Sequence, residues 1–256
     1  MTTEPDAEAR AIRGAGTAEI SWQSWPGLDQ LPCVSAAQLV PRGSRALILA
    51  PHPDDELLGC GGLIRLLAEE GRDVQVLAVT DGGASHPDST IWPAARLKAA
   101  RAAESADALR RLGATNVRLL RLGLDDGQVA AQGARLADAL NLVLRANDVL
   151  VATWRMDGHP DHEAVGVVAA AAVARRGATL LEMPIWMWHW AEAGDPRIPW
   201  ERACRLPLGS AVHAAKRDAA EAYCSQLEPD PSTGCDPIVP KSALARVLRD
   251  YEVYFR

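Results

Sequence analysis

The stretch "ALILAPHPDDELLGCGG", residues 46–62, decides the fold. An apolar run enters Pro51-His52-Pro53, the acids Asp54, Asp55 and Glu56 follow, and an apolar stretch with glycines comes next. A short apolar run bounded by turn residues reads as a buried strand, and the longer periodic stretch after it as a helix. Three consecutive carboxylates repel one another and stabilise no core. Their place between a buried strand and a buried helix points to chemistry.

Working outward, the same alternation recurs. Residues 45–50 read as a strand and 57–70 as a helix stopped by Gly71, followed by a strand at 74–80. A helix at 94–112 ends at Gly113, before a strand at 117–120, a helix at 131–145 and a strand at 148–153. A helix at 161–176 and a strand near 179–184 complete the series. Strands alternating with helices predict an α/β protein: a Rossmann-like, mostly parallel sheet with helices on both faces and right-handed crossovers. Beyond it the pattern predicts a strand at 203–208, helices near 211–226 and 239–250, and a last strand at "YEVYF". Residues 1–44, rich in Gly, Pro, Ser and Ala, read as an N-terminal arm, anchored by Trp22 and Trp25, ahead of a domain at 45–256.

The totals narrow the function. Of 256 residues, 48% are hydrophobic, enough for a sizeable core. No apolar run approaches the roughly 18–20 residues a membrane span needs. The N-terminus has no basic region followed by an apolar one, so no secretory signal is expected. A net charge of −6 without a Lys/Arg block argues against nucleic acid. Five cysteines without a CxxC pair indicate a reduced, cytoplasmic protein, with Cys224–Cys235 the one pairing worth weighing.

In open α/β sheets ligands bind outside the carboxyl ends of the strands. There the chain places "HPDDE", "TDGGASHPD", "LGLDDG" and "WRMDGHPDH". One acidic loop is unremarkable; four that converge on one edge form a site. In the last, Pro160 suits a helix start, and His159 and His162, three apart, can face the same side. The ligand-type residues are therefore His52, Asp54, Asp55, His159, Asp161 and His162. Two histidines and a carboxylate with an open position describe a catalytic zinc site, leaving another carboxylate and histidine as base and acid. Taken singly, Asp161 or the "DDE" run could serve only as helix-start acids favoured by the dipole. That leaves the repeated His-Pro-Asp pattern without a reason. "HEAVG" at 162–166 lacks the second histidine of HExxH, and "GCGG" lacks GxGxxG spacing and lies inside the helix pattern.

"PHPDDE" at 51–56 and "GHPDH" at 158–162, with "TDGG", "RAAE" leading to "LGA", and "KRDAAEAYCSQ", resemble the PIG-L/LmbE family of zinc-dependent N-deacetylases over roughly residues 45–256. The resemblance implies a hydrolase that removes an N-acyl group, usually acetyl, from an N-acetylglucosamine conjugate or related amino sugar, with Zn2+ as cofactor. Carried over, it makes His52, Asp55 and His162 the zinc ligands and Asp54 the general base. His159 becomes the group that stabilises the oxyanion or protonates the amine, with Asp161 orienting it. Arg101 and Asp126 match positions that hold sugar hydroxyls or nearby groups. Glu56 is left to helix-start or supporting work. The chain departs from the family in the residues before its first strand. It also has Arg155, Met156 and Asp157 where some members carry a tyrosine, which leaves oxyanion support and gating open.

"PIWMWHWAEAGDPRIPW", 184–200, alternates Trp186, Trp188 and Trp190 as a strand face or extended rim would. One reading makes it an aromatic surface for a glycoside or apolar aglycone, with Trp188 in contact and His189 near the mouth. The other makes it a packed wall or a subunit interface of a homo-oligomer. Two alternatives to the hydrolase stay open: a non-haem Fe(II) enzyme using the same two-histidine, one-carboxylate set, and a non-catalytic sugar- or partner-binding module with a structural metal.

Overall fold

The computed structural model describes residues 8–256; the first seven positions of the expected arm lie outside the described residues. Ahead of the alternating part lie the short helices α1 Glu19–Gln23, α2 Pro26–Gln30 and α3 Ala36–Leu39. The alternating part runs β1 Ala46–Ala50, α4 Asp55–Glu69, β2 Val74–Thr80, α5 Ala94–Arg111, β3 Arg118–Leu124, α6 Gly133–Val143, β4 Val149–Thr153, α7 Pro160–Arg176 and β5 Thr179–Met183. Then come α8 Met187–Trp190, β6 Ala203–Pro207, α9 Ser210–Ala220, α10 Cys224–Leu227, α11 Lys241–Val247 and β7 Tyr251–Phe255. The seven strands form one sheet in the order β3-β2-β1-β4-β5-β7-β6. The first five are parallel and β7 joins antiparallel to both β5 and β6. This is the mostly parallel α/β sheet the alternation predicts.

β1 shows why. Its five residues are all buried, as a central parallel strand covered on both faces requires. Side chains alternate along a strand: Ala46, Ile48 and Ala50 join a core with α4, while Leu47 and Leu49 join a second core under α6 and α7. β1 pairs with β2 on one side and β4 on the other, so chain order reverses there. A crevice opens outside the strand ends at such a point, and the loops after β1 and β4 are the two His-Pro-Asp loops.

The described part of the arm is bound to the body at several points. Trp22 is fully buried, its ring 4.9 Å edge-on from Trp188, and its indole N–H donates to the Trp188 carbonyl at 3.0 Å. Arg10 pairs with Glu163 at 3.1 Å and Glu19 with Arg249 at 2.6 Å. Val34 N–H donates to the Arg205 carbonyl and Arg205 N–H to that of Pro32, extending the β6 edge.

"GCGG" has its own explanation. α4 kinks at Cys60 (φ −146°, ψ 23°), and the amides of Gly62 and Leu63 donate to the Glu252 carboxylate at 2.6 and 2.9 Å. Lys216 Nζ reaches the same carboxylate at 2.7 Å and the Leu58 carbonyl at 3.0 Å, and both side chains of the ion pair are buried. The glycines thus serve a helix break held by β7 and α9. All five cysteines are unpaired, and Cys224 and Cys235 are exposed.

Removing one partner of a buried ion pair strands the other charge. Lys216→Met is therefore expected to lower folding stability by about 3–5 kcal/mol, read from urea unfolding followed by tryptophan fluorescence.

Candidate active site

At the crevice, local backbone geometry sets each group. Asp54 adopts φ 147°, ψ −29°, a conformation costly for a residue with a side chain and worth roughly 1–3 kcal/mol of strain. Its surroundings hold it there. Its N–H donates to Glu56 Oε2 at 3.1 Å, its carbonyl accepts from Leu57 and Leu58, and its Oδ2 lies 3.1 Å from Arg101 Nη2. Although Asp54 stands at the N-cap of α4, its side chain caps nothing and lines the cavity instead. Glu56, 1% exposed, takes Ser105 Oγ at 2.7 Å and Tyr223 Oη at 3.1 Å on its other oxygen. It is the buried support for the Asp54 turn, and burial raises its pKa.

Asp55 Oδ2 accepts the His52 N–H at 2.8 Å and lies 3.3 Å from both His52 Nδ1 and His162 Nε2. On its other side, His52 Nε2 is 3.2 Å from Asp126 Oδ1 and 3.4 Å from Asp161 Oδ2. His162 Nδ1 is 2.8 Å from Asp157 Oδ2. That carboxylate also accepts from the amides of Ile185, Trp186 and Met187 at 2.9–3.0 Å. Asp157 is thereby fixed as an acceptor, so Nδ1 keeps a proton toward it and Nε2 is the nitrogen left to face a cation. His162 Nε2 is buried and makes no hydrogen bond.

The electrostatics follow. Burial alone would lower the His52 pKa, yet Asp126, Asp161 and Asp55 hold it well above the usual value. Burial opposes charge on His162 too, but Asp55 and Asp157 raise it to about 9. Asp55 is driven far below the usual carboxylate range by His162 and His52, against its burial. Asp126 is held down at about 2, where His52 outweighs burial. Burial pushes Asp54 up to about 7 even beside Arg101. His159 is brought down to about 3 by burial and then by the charges of His162 and His52.

These values describe a buried carboxylate cluster that demands positive charge at its centre. The residues suit a divalent cation: His52, Asp55 and His162 converge, and a buried imidazole nitrogen is left without a partner. Donor atoms of His52, His159 and His162 lie within 4.8 Å of one another, as do those of His52, Asp126 and Asp161. Asp55 is in neither group, but its Oδ2 lies 3.3 Å from both His52 Nδ1 and His162 Nε2, and His159 Nδ1 already accepts the Asp161 N–H at 3.2 Å.

Several expectations change. Asp161 contacts His159 through its backbone; its carboxylate accepts from the Gly127 and Val129 amides at 2.7 and 3.2 Å and faces His52. Arg101 lines the cavity, but its guanidinium is engaged with Asp54 and the Pro53 and Gly82 carbonyls. Asp126 lines the cavity with one oxygen on the Ala84 amide and the other toward His52. The expected strand face at 186–190 is one turn of helix, because the Asp157 carboxylate gathers three consecutive amides at its start. Helical spacing puts Trp186 and His189 on one side, lining the cavity. Trp188 turns into the core, 4% exposed, its indole N–H on the Pro184 carbonyl. It is a wall residue and not a substrate contact.

Gly158 is required where it stands. Its φ is +96°, and a Cβ there would lie 2.5 Å from the Arg10 carbonyl. At Gly166 a Cβ would lie 2.7 Å from the Thr153 carbonyl, so the "HEAVG" helix has no room for a second histidine. Nothing in the sequence signalled the role of Asp157 beyond a carboxylate just ahead of "GHPDH", whereas Glu56 does the supporting work expected of it.

Residues 47–173 match the PIG-L family, described as GlcNAc-PI de-N-acetylase. The chain is 30% identical over 244 residues to a 1D-myo-inositol 2-acetamido-2-deoxy-alpha-D-glucopyranoside deacetylase of Rhodococcus jostii, covering 73% of this chain and 83% of that one. The chain belongs to the PIG-L family. Of two further curated relatives, a diacetylchitobiose deacetylase of Thermococcus kodakarensis and a 1D-myo-inositol 2-acetamido-2-deoxy-alpha-D-glucopyranoside deacetylase of Rhodococcus erythropolis, it spans only 50% and 57%. Among solved structures, a conserved Thermus thermophilus protein shares the fold at 30% identity and TM-score 0.52, over 72% of this chain and 80% of that one. The N,N'-diacetylchitobiose deacetylase of Pyrococcus horikoshii shares it at 19% identity and TM-score 0.57, over 89% and 81%.

Two substitutions separate support from packing. Asp157→Ala should weaken metal binding roughly 10–100-fold, measured by competition with a chromophoric chelator. Trp188→Ala should cost about 3–5 kcal/mol of stability, measured by urea unfolding, and leave metal affinity unchanged.

Proposed function

We propose that this PIG-L family member is a zinc-dependent N-deacetylase of an N-acetylated amino-sugar conjugate, with His52, Asp55 and His162 holding the metal. The observation that carries the reading is His162: its Nδ1 is pinned by Asp157, and its buried Nε2 faces Asp55 with no hydrogen bond. When bound, zinc lowers the pKa of a coordinated water toward ~7 and polarises the amide carbonyl.

The chain's own groups perform the rest. Asp54, a cavity-lining carboxylate whose pKa burial raises, is the group assigned to take a proton from the attacking water. Arg101 and Glu56 keep it on the cavity side. His159 accepts the Asp161 N–H at Nδ1, so in its neutral form Nε2 carries the proton and donates to the developing oxyanion. The proton taken by Asp54 has to reach the departing amine, and Asp54 and His159, both lining the cavity, are the groups that can carry it there. Asp126 lines the same cavity and is available to a sugar hydroxyl. A cytoplasmic location accords with the five unpaired cysteines.

The test pairs metal analysis with primary-amine release from N-acetylglucosamine conjugates. Amine release should stop on chelation and return with zinc. Asp54→Asn should lower kcat by roughly 10²–10⁴-fold with metal content intact, and His162→Ala should lose the metal. The reverse pattern, zinc lost with Asp54→Asn and kept with His162→Ala, refutes the assignment.

A further inference from the structure

The cavity, of about 450 Å³, is polar at the metal donors and apolar where Ile12, Ile185, Ile238, Val239 and Val247 line it. Arg246 of α11 stands in that apolar wall, 2% exposed. Four other arginines are buried, and each has a carboxylate: Arg10 with Glu163, Arg45 with Asp148, Arg101 with Asp54 and Arg249 with Glu19. Among the described residues Arg246 alone of the five has none. Its Nη1 is 2.9 Å from His189 Nδ1, its Nη2 donates to the Ala15 carbonyl, and its Nε has no partner.

Neither neighbour can supply the missing charge. A guanidinium only donates, so His189 Nδ1 must be the acceptor, and His189 Nε2 donates to the Arg13 carbonyl at 3.1 Å. His189 is thus held neutral, and burial followed by Arg246 lowers its pKa. Glu19, whose charge acts on Arg246, is already taken by both forks of Arg249 at 2.8 and 2.6 Å. A buried charge without a counter-ion is costly, and a guanidinium is the group best shaped to receive a carboxylate or a phosphate.

We propose that Arg246 is an anion-recognition residue: the substrate carries a carboxylate or phosphate on the part away from the amide, and Arg246 pairs with it in the cavity wall. His189 and the arm at Arg13 and Ala15 fix the guanidinium for that contact. This inference rests on the deacetylase reading, which it deepens by assigning the conjugate a negative charge.

The experiment compares three N-acetylglucosamine conjugates, with an aglycone bearing a carboxylate, its methyl ester or a phosphate monoester. The wild-type protein should favour one or both charged conjugates over the ester by roughly 10–100-fold in kcat/KM, carried by KM; which one identifies the anion. Arg246→Gln should collapse that ratio and Arg246→Lys restore part of it. A merely structural role would raise KM for charged and neutral conjugates alike. Equal wild-type use of all three, or a ratio that survives Arg246→Gln, overturns the proposal, and the wild-type ratio needs no variant to fold. If no conjugate releases amine, the deacetylase reading fails. Inorganic phosphate titrated into the metal-free protein then decides: saturable binding weakened at least about tenfold by Arg246→Gln sustains the anion site, and absent or unchanged binding removes it.

Discussion

Asp55, Asp126 and Asp161 each bring a carboxylate oxygen within 3.4 Å of an imidazole nitrogen of His52. Repulsion among such groups grows as water is excluded, so the site holds together only if positive charge sits among them. Protons on His52 and His162 provide it in one state, and a bound divalent cation provides it in another. Much of the nearby structure keeps these groups facing one another. Asp157 ties His162 to the loop after β5, Arg101 and Glu56 hold Asp54 in its strained turn, and the Gly127 and Val129 amides fix Asp161.

The sheet and the place of the site were legible because they rest on local patterns. The apolar runs at 46–50 and 149–153 are buried strands, and loops at their carboxyl ends converge whatever the details of packing. Directions of side chains were less legible. "WMWHW" has the alternation of a strand, but an acceptor thirty positions earlier winds it into a helical turn and sends Trp188 inward. Period alone cannot register a contact made at that separation. Asp161 was read by its neighbour in sequence, His159, whereas its carboxylate is claimed by amides from the loop after β3.

Arg246 and Glu252 were illegible for the same reason. In the sequence they are ordinary members of a charged C-terminal stretch. Only the fold shows that Glu252 meets Lys216 and a broken helix, and that Arg246 meets no carboxylate among the described residues. The arm belongs here too. It buries Trp22 and puts Ile12 in the cavity lining, and its Arg13 and Ala15 carbonyls hold His189 and Arg246, so residues outside the alternating pattern shape what the cavity can accept.

The break in α4 ties the site to β7. The half-helix that carries Asp55 and Glu56 is set against the other half by Glu252, almost two hundred positions later. Without β7, the amides of Gly62 and Leu63 and the Lys216 ammonium would all lose the Glu252 carboxylate. The start of α4, which positions Asp55 and Glu56, therefore shares its stability with the last strand of the sheet, and damage at the far end of the chain is felt at the cavity.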